Sequence, residues 1–354
     1  MTSHGTIRRR IGRVALAATA AAAALALAAC SGGDGGASTS EGSAAAGELT
    51  PVDYQLSWLK ITQFGGFFSA DAEGFYEEEG IAPEFTAGGS NILAWQQVTG
   101  GQALLGDEDN TLLLQAIESG EDLVAIGAVF QTSPMSVMSL ADDPISSPED
   151  FEGKTIAYPD NGIDQLTTAL EANGVDLSTV TLVPAGADPT QLVTGQVDGY
   201  GGYATSQGAS LQLQGLDVEY MYLEDLGIPS YGNVIITTRA NLEENRELIV
   251  DFMTATVKGY EWMNANPAEA AALVVNDVNA TGGLDLATEE MTAEIQADII
   301  ESPSGVLRLD VAKMQEIIDS LVEAGTLSEP LDAAEIVDTS VLDEVYGDAT
   351  SLLD

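Results

Sequence analysis

The chain has 354 residues, of which 56 are acidic and 11 basic, for a formal net charge of −45 at neutral pH. That excess repels a phosphate backbone and excludes nucleic acid as a partner. With a single cysteine, Cys30, and a single histidine, His4, the chain excludes internal disulfides. It also excludes Ser-His-Asp or Cys-His catalysis and a His-ligated metal site in the folded body. Composition leaves carboxylate chemistry open; the sequence as a whole leads us to expect a protein that is not an enzyme and carries no cofactor and no metal.

The first 29 residues hold Arg8, Arg9, Arg10 and Arg13, then an Ala/Leu-rich run and no acid, the pattern of a secretory signal peptide. The end of that run, Leu27-Ala28-Ala29-Cys30, resembles a bacterial lipobox. Cleavage there would leave Cys30 as a lipid-modified first residue. Residues 30–48 then form a Gly/Ser/Ala tether with nothing to bury. Its reach is about 23 Å, enough to hold the body clear of a membrane surface. Seven cations remain beyond the leader, so the acidity reads as a solvated surface.

Residues 49–137 and 239–354 are expected to form one α/β lobe and residues 138–238 a second. In Val52, Tyr54, Leu56 and Trp58 an alternation predicts a strand with four apolar side chains on one face. A turn at Gly65-Gly66 leads to a helix from Phe67 to Glu73, and Gly80 reads as a helix C-cap before a strand over residues 81–86. Ser90 is expected to cap a helix through Trp95, followed by a strand at 102–106, a helix at 111–119 and a doubly buried strand at 123–130. Ser147-Pro148-Glu149-Asp150 has the N-cap, N1 proline and first-turn acids of a short helix. Strands at 155–158, 180–183, 197–200 and 218–223 alternate with helices through the second lobe, and residues 233–238 return to the first. From Leu242 onward the pattern is helical, packed on lobe one.

Two crossings between two doubly wound halves predict lobes hinged around a cleft. Loop-end aromatics and amides are then the candidate contacts: Trp58, Gln63, Phe64, Trp95, Asp107 and Asn110 from lobe one, with Asp160, Asn161 and Tyr203 from lobe two. Glu108 and Asn233 belong to the same polar group. A buried anion needs charge-assisted donors, and lobe two offers only Lys154, which leaves Lys60 and Arg239 as pocket cations. The balance favours a neutral or weakly basic nitrogen heterocycle.

Trp58, Thr62, Gly66, Ala70, Gly74, Phe75-Tyr76 and Gly80 resemble the opening signature of a family of ABC-transporter solute-binding proteins. That family holds the alkanesulfonate, nitrate, riboflavin and thiamine-pyrimidine-precursor binders and the fungal thiamine-pyrimidine synthases. The resemblance implies a type II periplasmic-binding-protein fold and a monomeric, lipid-anchored extracytoplasmic protein serving an ABC permease and its ATPase. Asp225 to Tyr231 resembles a D-x-G-x-x-x-Y segment of the heterocycle binders, which makes Asp225 and Tyr231 the leading ligand pair, with Tyr231 facing Trp58. Where thiamine-pyrimidine members show Trp-x-Pro-Asn-x-Asn-His, this chain has Trp58-Leu59-Lys60-Ile61-Thr62-Gln63-Phe64. The ligand expected is a thiamine pyrimidine precursor. Riboflavin or another flavin- or purine-like ring is the alternative, then an alkanesulfonate or nitrate.

Overall fold

The computed structural model describes residues 49–89, 91–159, 162–186 and 189–353. The leader, Cys30 and the tether lie outside that set, as do Ser90, Asp160 and Asn161, and with them the expectations placed on those residues.

The first lobe opens with β1 (Thr50–Gln55), α1 (Gly65–Ala72), α2 (Phe75–Glu78) and β2 (Ile81–Thr86), followed by α3 (Ala94–Thr99), β3 (Leu105–Glu108), α4 (Asn110–Glu118) and β4 (Leu123–Phe130). A first crossing leads to β5 (Met135–Leu140), β6 (Thr155–Tyr158), α5 (Ile163–Ala172), β7 (Thr181–Pro184), α6 (Thr190–Val193), β8 (Gly199–Tyr203), α7 (Ala209–Leu213) and β9 (Val218–Tyr222). A second crossing leads to β10 (Gly232–Thr238), α8 (Arg239–Glu244) and α9 (Arg246–Ala265), and then to α10 (Pro267–Leu273), α11 (Leu286–Ile300) and α12 (Val311–Glu323). Among the described residues no helix is long and apolar enough to cross a membrane.

Two five-stranded sheets result, ordered β2-β1-β3-β10-β4 and β7-β6-β8-β5-β9. Each crossing delivers one antiparallel strand into an otherwise parallel sheet: β5 runs against β8 and β9, and β10 against β3 and β4. The second crossing therefore precedes Gly232, and β10 belongs to the first sheet rather than to a second lobe extending to residue 238. β5 likewise starts the second sheet at Met135, before the boundary expected at 138.

Both faces of the first sheet are covered, which is why β4 is buried at every residue. Val124 and Ile126 face a cluster with Tyr54, Phe67 and Phe252, while Leu123, Ala125 and Ala128 face Leu113, Ile317 and Ile318. The second sheet repeats the scheme, with Ile156 and Tyr158 on one face and Ala157 and Tyr200 on the other. The N-cap expected at Ser147 is present and is part of a capping box, Asp150 accepting the N–H of Ser147 at 2.9 Å.

Helix α11 departs from the expected packing on lobe one alone. Its Gln296 donates to the carbonyl of Thr62 and its Glu289 accepts the Thr62 N–H, both on lobe one, whereas Thr292 donates to the carbonyl of Thr205 on lobe two at 2.7 Å. Ile295 packs with Ala204 and Ala209 of lobe two. The helix thus braces both lobes beside the crossings.

Helices α1 and α9 meet through glycine. A Cβ at Gly259 would lie 2.2 Å from the Gly66 carbonyl oxygen and 2.5 Å from the Ala70 Cβ, a clash with backbone that no rotamer relieves. Elsewhere in a helix interior Gly→Ala gains up to about 1 kcal/mol of propensity; here overpacking of about 1–3 kcal/mol outweighs it. We expect Gly259→Ala to lower stability in urea unfolding, and a stabilised variant would show that α1 and α9 are not in this close contact.

Candidate functional site

The first sheet sends the carboxyl ends of β1 and β3 toward the junction of the lobes, the position where open α/β sheets hold ligands. β3 ends on two acids, because the strand runs over Leu105–Glu108 and not over the expected residues 102–106. All four of its residues are buried, so Asp107 and Glu108 are carboxylates inside the protein.

Asp107 is fully shielded and faces inward. It accepts the Ser57 N–H at 3.3 Å, the Ser57 hydroxyl, and the side-chain N–H of Asn233 at 2.7 Å. Asn233 also donates to the Ser57 hydroxyl at 3.0 Å and accepts from Gln63 at 2.8 Å. Its φ of 51° is left-handed, a conformation asparagine tolerates better than most residues. Loss of hydration pushes the Asp107 pKa up to about 6, against the lowering pull of its bonds to Ser57 and Asn233. Asp107 is therefore a positioning group behind the cleft wall, not a residue lining it.

Glu108 points the other way along the pleat and lines a cavity of ≈ 610 Å³ between the lobes. Only 3% exposed, it accepts the backbone N–H of Trp95 at 3.4 Å and of Asp109 at 3.2 Å. Burial raises its pKa to about 7, and the neighbouring Asp107 adds to the rise. Around it the wall carries Trp58, Gln63 and Asn233 from lobe one and the crossing, Tyr203 and Thr205 from lobe two, and Glu289 from α11.

The expected site residues divide accordingly. Trp58, Gln63 and Tyr203 line this cavity, and Asn110 lines an adjoining one. Trp58 is 40% exposed, since β1 ends at Gln55 and the alternation that would have buried its ring stops there. Trp95 contributes its backbone N–H while its ring packs beside the core of lobe one. Phe64 is a correction: it is fully buried in the core with Tyr54 and Phe67. Asp225 and Tyr231 are corrected as a pair. Asp225 sits exposed at the N3 position of a 3-10 turn, where it accepts the Tyr222 N–H. Tyr231 is 2% exposed, accepts the Asp310 N–H and lies under Lys313, so it cannot face Trp58 across the cleft.

Two contributors were missed altogether. Ser57 follows β1 with no pattern of its own, but Glu289, Thr292 and Gln296 recur at helical spacing along α11, a polar stripe that could have marked a face turned to a polar site. No Lys or Arg is among the described residues lining either interlobe cavity. Arg239 pairs with Asp122, and the N-terminus of α4 is filled by its own Asp109, which accepts from Thr111 at 2.8 Å. An anion therefore finds no side-chain cation among these described residues, and the end of α4 is already taken.

The raised pKa values carry a sign. Folding favours the protonated form of Glu108 between its ordinary 4.5 and about 7, and of Asp107 between 3.8 and about 6. The stability this confers is complete below the ordinary values and is lost as pH rises through about 6 to 7. We expect the melting temperature of the unliganded protein to fall across this window, and Glu108→Gln to flatten the fall. Parallel pH profiles for wild type and variant would contradict a buried, proton-binding Glu108.

Comparison with known proteins agrees with this geometry. The family described as NMT1/THI5 like matches residues 61–270, more than half of the chain. A formylaminopyrimidine-binding protein of Halalkalibacterium halodurans is 28% identical over 315 residues, covering 87% of this chain and 95% of that protein. The riboflavin-binding protein RibY of Chloroflexus aurantiacus is 27% identical over 229 residues, 63% of this chain and 65% of that protein. In fold, the periplasmic aliphatic sulphonate binding protein SsuA of Escherichia coli aligns with a TM-score of 0.60 at 16% identity, over 80% of this chain and 96% of SsuA. The desulfurization enzyme DSZB shares the architecture at a TM-score of 0.57 and 16% identity, covering 83% and 98%. With its two five-stranded sheets in the arrangement of the periplasmic binding protein SsuA, the chain belongs to the NMT1/THI5-like family.

Proposed function

We propose that the protein is the extracytoplasmic binding component of an ABC importer and captures a small aromatic N-heterocycle, with a thiamine pyrimidine precursor as the leading ligand. The observation that carries this reading is Glu108, a desolvated carboxylate on the wall of a cavity with no cation among its described lining residues. Such a group is best answered by ring or amino N–H donors, and Trp58 beside it offers a flat face to stack on. The 28% identical relative named for formylaminopyrimidine supports the pyrimidine, and RibY supports a flavin as the second reading. An alkanesulfonate or nitrate fits poorly, since neither cavity wall offers it a positive partner. The DSZB likeness is one of fold alone; beyond the leader this chain has Cys30 and no histidine, and we read it as a binder. The leader and Cys30 supply the export signal and the lipid anchor of this reading, on a monomer that hands its ligand to a permease.

Calorimetric titration with a formylaminopyrimidine, riboflavin, a purine and an alkanesulfonate tests the reading, with binding expected for the pyrimidine and none for the sulfonate. Glu108→Gln should weaken the bound heterocycle by about 1.5–3 kcal/mol, roughly 10- to 150-fold. Trp58→Ala should weaken it by about 0.5–1.5 kcal/mol and leave the melting temperature of the free protein near that of wild type. Tight sulfonate binding, or heterocycle binding indifferent to both substitutions, would contradict the assignment.

A further inference from the structure

The cleft continues past its first cavity. A second cavity of ≈ 440 Å³ shares Asp109, Ser133 and Tyr203 with the first and extends to Tyr158, Gln165 and Ser230. Its chemistry differs from that of the acidic wall. Asp109 is the one acid among its described lining residues, and that carboxylate already accepts the N–H groups of Thr111 and Leu112. The other polar groups are neutral hydroxyls and amides, and no cation lines it.

Asn110 is the informative member. It is 4% exposed, lines this cavity and has no side-chain hydrogen bond among the described residues. Its amide opens onto the cavity with donor and acceptor both free of protein partners, so water or a ligand group takes them there. The wall opposite is preformed. The Tyr158 ring is wedged between two glycines, where a Cβ at Gly162 would come within 2.7 Å of it and one at Gly201 within 2.2 Å. Only glycine at both places lets the ring stand there.

We propose that the cleft is a two-compartment site whose second compartment takes a neutral, hydrogen-bonding substituent, an amide or a hydroxylated chain, carried by the heterocycle that rests against Glu108. The proposal builds on the heterocycle reading above and adds what the ring must carry. A phosphorylated substituent is disfavoured, because it would meet Asp109 with no compensating cation. A plain alkyl arm leaves the Asn110 amide unanswered.

Matched ligand pairs test this on the intact protein: 4-aminopyrimidine with and without a formylaminomethyl arm, and riboflavin against lumichrome, which lacks the hydroxylated chain. In the ring system that binds, the substituted member should bind about tenfold tighter, the scale of one or two neutral hydrogen bonds. The 5′-phosphate of riboflavin should lose that advantage. Asn110→Leu, and independently Gln165→Trp on the half-buried face of α5, should bring the ratio of substituted to bare affinity toward one. Equal affinity of the paired ligands for the wild type, or a ratio that survives both substitutions, overturns the second compartment while leaving the heterocycle reading standing. Failure of every heterocycle to bind overturns both.

Discussion

The hydrogen bonds that gather on Asp107 hold the cleft together. Three chain segments far apart in sequence converge on one buried carboxylate: Ser57 after β1, Asp107 at the end of β3, and Asn233 at the start of β10 just past the second crossing. A carboxylate taken out of water is costly unless its oxygens are satisfied, and these donors supply that. Because each donor comes from a different segment, satisfying Asp107 also fixes where the loop bearing Trp58 and the strand leaving the crossing sit. Gln63 joins the same network through Asn233. The neighbouring residue in the strand must turn its side chain to the opposite face, which sets Glu108 on the cavity wall.

This arrangement explains how a protein so acidic can have a selective site. Six of the cations in the described residues are paired with surface acids, and none lines the interlobe cavities. The surface acids are solvated and screened, so they contribute little to recognition. Glu108 is neither solvated nor paired with a cation, and its raised pKa records the cost of that position. The architecture it shares with SsuA and with DSZB is a scaffold on which wall chemistry varies, so ligand class has to be read from the wall itself.

Most of the fold was legible in the sequence, because strands buried on both faces read as continuous apolar runs. β4 falls where that pattern puts it, the edge strand β2 follows the Gly80 turn at the expected 81–86, and the N-cap at Ser147 is a local signal needing no tertiary context. The site was less legible for a physical reason: it is built where local pattern and tertiary demand disagree. β3 extends onto two acids because β10 pairs beside it, against the low strand preference of Asp and Glu. Tyr231 and Asp225 had the residue types of a ligand pair, but a phenol that accepts a backbone N–H in the core and an acid that caps a turn look the same in one dimension. The part played by α11 was hidden for a different reason. A polar stripe on a helix ordinarily faces water, and only the fold reveals that this one bonds both lobes, Glu289 and Gln296 to Thr62 and Thr292 to Thr205.

The central claim, that a desolvated glutamate in a cation-free cleft receives the N–H groups of a heterocycle, is tested most directly by a crystal structure of the protein with its tightest-binding ligand. The account predicts a ring or amino nitrogen within hydrogen-bonding distance of a Glu108 carboxylate oxygen, with the Trp58 ring against the ligand and no Lys or Arg in contact with it. A ligand seated away from Glu108, or one held by a cation drawn in from Lys60 or Arg239, would contradict it.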